Sequence, residues 1–153
     1  MKKEEIEGTI LEAFSNAKWP HDGASKPTFS STECDDLISD LNTLYPEAIE
    51  FVLPQLLIYA ISISDEDSRL EALNALIHFL NADFFDPKGV NSLLKEARMN
   101  VFSNYTKSES RAVYEWILYV QVCFSEKSLD RKELDSALPY WGKKKDADNP
   151  RDR

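Results

Sequence analysis

The sequence predicts an all-α protein, a single-domain orthogonal bundle of about six or seven helices packed around a central helix kinked at Pro54. Three observations carry that prediction. Apolar residues recur at every third or fourth position in one segment after another. Glycine is scarce, at four residues, and no Asn-Gly or related dipeptide joins alternating apolar runs, so hairpins have no signal. With 42% hydrophobic residues in 153, the chain has the material for one core. A domain of this size buries roughly 70% of its unfolded surface, which requires neither metal nor disulfide.

The elements follow in order. Ile6, Ile10, Phe14 and Ala17 mark a first helix, with Glu4, Glu5, Glu7 and Glu12 between them, and Lys18-Trp19-Pro20 ends it. The stretch from His21 to Ser31, with Gly23, Pro27 and serines, reads as a loop. Thr32 with Asp35 three residues on resembles a capping box for a second helix, whose inner face is Cys34, Leu37, Ile38 and Leu41. Pro46 suits the first position of a third helix, because its missing N–H would be unpaired there in any case. From Pro46 to about Ile63 the residues are apolar nearly all round, so this is the expected buried hub. Pro54 within it removes a hydrogen bond and crowds the preceding turn, so a kink or division near Leu53 is expected.

Ser64-Asp65-Glu66-Asp67 opens a fourth helix carrying Leu70, Leu73, Leu76, Ile77 and Leu80. After Asp86-Pro87, Val90, Leu93, Leu94, Ala97 and Val101 mark a fifth. Thr106 and Glu109 form a capping box for a sixth, with Ala112, Val113, Trp116, Ile117, Val120 and Phe124 inward. A short helix from about Leu129 to Leu138 leads to Pro139-Tyr140-Trp141. The expected organisation is one helical domain over residues 1–142 and a disordered charged tail over 143–153, where Ala147 is the single apolar residue.

Three short motifs, Ile10-Leu11-Glu12-Ala13-Phe14, Glu47-Ala48 with Phe51-Val52-Leu53-Pro54, and Ala137-Leu138-Pro139-Tyr140-Trp141, occur in an order that resembles a family of small bacterial helical proteins described only as a domain of unknown function. The resemblance covers residues 6–141. It implies a bacterial origin and an all-helical domain, and it supplies no activity, cofactor or catalytic residue.

Charge is unevenly distributed. Residues 1–80 hold 15 acidic and 5 basic side chains, whereas residues 81–153 hold 12 and 13, so the net −9 belongs to the first half. Glu33, Asp36 and Asp40 form one stripe on the second helix, and Glu47 and Glu50 follow on the third. These five are the candidate surface for a basic protein partner, in the manner of an immunity protein that neutralises a basic toxin. The competing explanation is an ordinary solvated acidic face. A second candidate is a small-ligand or enzyme pocket where Pro54 opens space between helices, with Tyr45, Gln55 and Tyr59 as polar contacts. A third is pairing of two copies through Tyr140, Trp141 or an edge of the sixth helix.

Other chemistries lack their residues. His21 and His78 have no ligand spacing, and Asp65-Glu66-Asp67 is followed by Leu70 and Leu76 where a calcium loop needs glycine and a carboxylate. No phosphate-binding glycine loop or GxSxG elbow occurs, so neither metal nor cofactor is expected, and an enzyme is not the favoured class. Cys34, beside Glu33, Asp35 and Asp36, reads as a packing residue, and Cys123 likewise; a disulfide between them is the less favoured alternative. Lys143-Lys144-Lys145 lies among aspartates on a negative body, which disfavours nucleic acid. The first residues lack an apolar signal region, and Phe51–Ile63 spans only 13 residues where a membrane helix needs about 20. A soluble, cytoplasmic protein is the expectation.

Overall fold

The computed structural model describes residues 1–20, 27–81, 92–124 and 128–152, and the side chains of 92–95 lie outside that description. His21, the segment 21–26 and the Asp86-Pro87 break therefore fall outside it too. Among the described residues there are seven α-helices and no strand, so the all-α bundle is the observed fold. They are α1 (Lys3–Ala13), α2 (Ser31–Ser39), α3 (Pro46–Ser62), α4 (Glu66–Leu80), α5 (Ser92–Ser103), α6 (Lys107–Cys123) and α7 (Arg131–Lys144). Single 3₁₀ turns follow at Leu41–Thr43 and Pro150–Asp152.

The hub is α3. It packs against α1, α2, α4 and α5, while α6 is clasped between α1 and α7. Along α3, Ala48, Ile49, Val52, Leu53, Leu56, Leu57, Ala60 and Ile61 are all buried, as the all-round apolar pattern predicts. Helical geometry runs unbroken through the buried Pro54, so the expected division at Leu53 does not occur. Proline in a helix interior costs ~3 kcal/mol. Here neighbours on several sides bury the flanking turns and keep the helix whole.

Two tryptophans tie the layers together. The Trp116 indole N–H on α6 donates to the Leu57 carbonyl at 3.0 Å, and the Trp141 indole N–H on α7 donates to the Leu80 carbonyl at 2.9 Å. Leu80 ends α4, where a carbonyl has no intrahelical donor, so Trp141 supplies the missing partner. Around it Phe102 meets Trp141 at 4.9 Å, Tyr105 at 5.5 Å and Phe79 at 5.7 Å between ring centroids, all edge to face. Each such contact contributes ~0.5–1.5 kcal/mol beyond the area it buries.

Several expectations need correction. The first helix stops at Ala13, and Phe14 and Ala17 stay buried in the turn beyond it. The capping box of α2 is Ser30 with Glu33, two residues earlier than Thr32 with Asp35: Glu33 N–H donates to Ser30 Oγ at 3.2 Å and Ser30 N–H donates to Glu33 Oε1 at 3.1 Å. On α5, Ala97 is exposed and Val101 half-buried, and Phe102 with Arg98 forms the inner face instead. Val90 and the side chains of Leu93 and Leu94 lie outside the described residues. The Arg98 guanidinium sits 4.6 Å from the Phe79 ring centre and donates to Asn42 Oδ1, which makes a cation acceptable in the core. Cys34 is buried, but Cys123 is exposed rather than packed, and both thiols are free.

The last helix is the largest difference. It runs through Pro139 to Lys144, which leaves Trp141 fully buried and removes it as a pairing surface, with Tyr140 half-buried beside it. Beyond α7, where the sequence leads to the expectation of a disordered tail, residues 149–152 hydrogen-bond to the α5–α6 corner. Asn149 Nδ2 donates to the carbonyls of Ser103 at 3.1 Å and Tyr105 at 2.9 Å, and Lys107 N–H donates to Asp152 Oδ1 at 3.0 Å. Asp152 thereby meets an unpaired N–H at the positive start of α6. The anchoring is polar throughout, which an apolar-periodicity reading cannot detect.

Candidate functional site

The acidic residues singled out from sequence divide into two groups. Glu33, Asp36 and Asp40 are exposed along α2 and its C-cap, and Glu47 is exposed in the first turn of α3. One oxygen of Glu33 is taken by the Ser30 N–H, so Glu33 is partly a capping residue. The side chains of Asp36, Asp40 and Glu47 take no cationic partner among the described residues, whereas Glu7, Asp146 and Asp148 are each paired with a lysine. Asp40 is also placed against the local field. It caps the negative end of α2, a helix with no basic residue in its last turn.

Glu50 belongs to the second group and is not free. Arg151 Nη1 and Nη2 donate to Glu50 Oε2 and Oε1, both at 3.0 Å, in a fork-on-fork pair. Nη1 also donates to the Asn104 carbonyl at 2.9 Å and lies 3.6 Å from Glu109 Oε1. Glu50 and Glu47, one turn apart, line a cleft of about 450 Å³ between α3 and α5 together with Asn100 and Asn104. A separate cleft between α1 and the start of α6 is lined by Glu12, Thr106, Glu109, Arg111 and Arg151.

Around Arg151 two groups were missed from sequence. Glu109 is 2% exposed, although its role as the third residue of the Thr106 capping box was legible, and it accepts from the Thr106 N–H at 2.8 Å. Burial pushes its carboxyl up to about 7, the Glu50 carboxylate adds to the rise, and the Thr106 N–H and Arg151 oppose it. Tyr105, 1% exposed, has a hydroxyl without a hydrogen-bond partner, and burial together with the charges of Glu109 and Glu50 pushes it well above its ordinary range. A capping box fixes where Glu109 starts but not what covers it, so its burial had no signal in the sequence. Arg151 was hidden by the composition around it.

No family model, curated protein or solved structure matches this chain. The site therefore has to be interpreted from its own geometry.

The pocket residues also separate. A groove of about 570 Å³ does lie beside Pro54, lined by Phe14, Phe29, Cys34, Phe51 and Ile58, and Gln55 and Tyr59 reach it while Tyr45 does not. Tyr45 is 74% exposed at the N-cap of α3. Both ends of the Gln55 amide are engaged, donating to the Pro27 carbonyl at 3.2 Å and accepting from the Phe29 N–H at 3.1 Å. The Tyr59 hydroxyl donates to Asp35 Oδ1 at 2.5 Å, which, ahead of burial, raises that phenol to about 12. These polar groups hold the strand of chain at 27–29 and α2 onto α3. Cys34, in the groove wall, is raised by burial and then by Asp35 and Glu33, which disfavours a thiolate.

Among the described residues no three His, Cys, Asp or Glu side chains converge as a metal site. His78 Nδ1 lies 2.7 Å from Glu133 Oε1 and joins α4 to α7. No helix among the described residues is long and apolar enough to cross a membrane.

Proposed function

We propose that this protein is a binding module for a basic protein partner, engaged through Asp36, Asp40 and Glu47 with Glu33 at the edge, and that it acts by occupying that partner rather than by catalysis. The observation that supports the reading is three exposed carboxylates without cationic partners among the described residues, one of them held at the unfavourable end of a helix. Unpaired like charge raises a local potential that speeds encounter with a positive surface and is weakened by salt. The protein, immobilised, is expected to retain basic partners at ~50 mM salt and release most of them by ~500 mM. The Asp36→Lys, Asp40→Lys double variant should retain them roughly tenfold less, since contacts of this kind act mainly on association. Retention of the same proteins at the same strength by the reversed variant would remove the proposal.

A second reading has its own observation, the apolar groove beside Pro54. Because Gln55 and Tyr59 already have partners, its occupant would be chiefly apolar. An environment-sensitive apolar dye that binds the protein and is expelled by Ile58→Trp supports it; equal binding to both chains does not.

A further inference from the structure

Arg151 lies where an arginine from outside would fit. Its guanidinium makes two hydrogen bonds to Glu50 and a third to the Asn104 carbonyl, with Glu109 Oε1 3.6 Å from the same Nη1. This is a receptor for a planar fork; a lysine ammonium matches only one of those bonds at a time. We propose that Glu50, Glu109 and the Asn104 carbonyl form an arginine-binding site where α3 meets the α5–α6 corner, and that Arg151 fills it in cis, so that the chain's own segment 145–152 competes with an arginine-bearing basic partner. The inference rests on the basic-partner reading above and assigns it an entry point and a control.

Three further observations support it. The site is oversupplied with negative groups: Glu50 and Glu109 face one guanidinium, and Glu47, one turn from Glu50 in the neighbouring α3–α5 cleft, has no cationic partner among the described residues. Beside it the buried Tyr105 hydroxyl has no hydrogen-bond partner among the described residues, so its oxygen is an unused acceptor. Finally, the present occupant is held without a buried anchor. No residue from 145 to 152 is buried, and its contacts include the hydrogen bonds of Asn149, Arg151 and Asp152, a surface ion pair from Asp148 to Lys107 and the Lys145 ammonium over the Tyr114 ring. Ordering each such residue costs ~1–2 kcal/mol of backbone entropy, so these surface contacts hold the segment in an exchangeable state. Its advantage is proximity, equivalent to a local concentration on the order of millimolar, which a partner presenting several cations can overcome.

The test uses two synthetic peptides of equal length and charge, one with arginines and one with lysines, titrated into the full chain at ~50 mM salt. Arg151→Ala should bind the arginine peptide about fivefold more tightly than the unmodified chain, with a smaller gain for the lysine peptide. Adding Glu50→Gln to Arg151→Ala should abolish the gain. Should Arg151→Ala fail to fold, Arg151→Lys, which keeps the charge and loses the fork, is expected to show the same preference at reduced size. Equal affinity of the unmodified chain and the Arg151 variants for the arginine peptide overturns the proposal, as does an equal gain for both peptides. If Asp36→Lys, Asp40→Lys weakens peptide binding while Arg151→Ala leaves it unchanged, the acidic-surface reading stands and cis occupancy alone falls.

Discussion

Glu109 on α6 and Glu50 on α3 face the same guanidinium, and Arg151 divides itself unequally between them, at 3.0 Å from Glu50 and 3.6 Å from Glu109. One partly exposed cation serves two carboxylates, and the one deeper in the protein holds its proton longest. The consequence for folding can be signed. Burial, then Glu50, raise the Glu109 carboxyl from 4.5 to about 7 against the pull of the Thr106 N–H and Arg151.

A raised acid favours the folded state fully below its unfolded value and loses that contribution as pH rises through its folded one. Stability is therefore expected to decline between about pH 5 and pH 8, by up to ~3 kcal/mol from this group. The groups that face Glu109 are Glu50, Arg151, Tyr105 and the Thr106 N–H, and Glu12 and Arg111 line the α1–α6 cleft beside it. Glu109→Gln keeps an acceptor for the Thr106 N–H and removes the titration. Thermal unfolding of this variant should be flatter across that range, and a slope equal to that of the unmodified chain would assign the pH dependence elsewhere.

Trp141 closes α4 from a distance of 61 residues, by donating to the Leu80 carbonyl at 2.9 Å. Trp141→Phe retains an aromatic against Phe102 and Tyr105 but strands that buried carbonyl. Leaving one such group unsatisfied costs ~1–3 kcal/mol, with a further loss from the smaller ring. Urea unfolding should show a lower midpoint at an unchanged slope. A midpoint within error of the unmodified chain would mean that water reaches Leu80 and the indole N–H is dispensable.

Most of the fold was legible where local chemistry and burial agree. Pro46 starts α3, Asp65 caps α4 and Thr106 with Glu109 boxes α6, because each satisfies or removes unpaired helix N–H groups with residues adjacent in sequence. Legibility failed where the deciding partner is remote. Pro54 and Pro139 should break helices by local rules, yet packing around α3 and burial of Trp141 carry both helices through. Segment 145–152 has almost no apolar residue, and only the positions of the Ser103, Tyr105 and Asn104 carbonyls reveal that Asn149 and Arg151 have somewhere to bind. In the candidate site, the exposed stripe on α2 was readable from helical spacing. The commitment of Glu50 to Arg151, 101 residues away, was not.

Gln55 shows how a residue picked for ligand binding is used internally. Its amide donates to the Pro27 carbonyl and accepts from the Phe29 N–H, while Trp19 and Phe29 pack with Phe51 at ring distances of 5.1–6.5 Å. Gln55→Ala removes both hydrogen bonds and should lower stability by ~1–2 kcal/mol. It should also speed hydrogen exchange at the Phe29 amide by roughly tenfold, because that N–H loses its acceptor. Exchange at Phe29 that does not change would show the 27–29 segment to be held by the aromatic contacts alone.

Asp40 gives the sharpest separation of stability from binding. A carboxylate at the C-cap of α2 faces the negative end of the helix dipole, and Asp36 lies one turn away with the same sign. Asp40→Lys reverses both interactions at a backbone conformation, φ −116° and ψ 28°, that any residue adopts. The variant is expected to be more stable by ~0.3–1 kcal/mol, read from the shift in melting temperature at low salt and reduced at high salt. The same variant should capture a basic partner less well. A stabilising substitution that costs binding is the expected behaviour where a surface is kept for recognition at the expense of the fold. If Asp40→Lys instead destabilises the protein, the carboxylate has a structural role, and the α2 stripe loses its strongest argument as a docking surface.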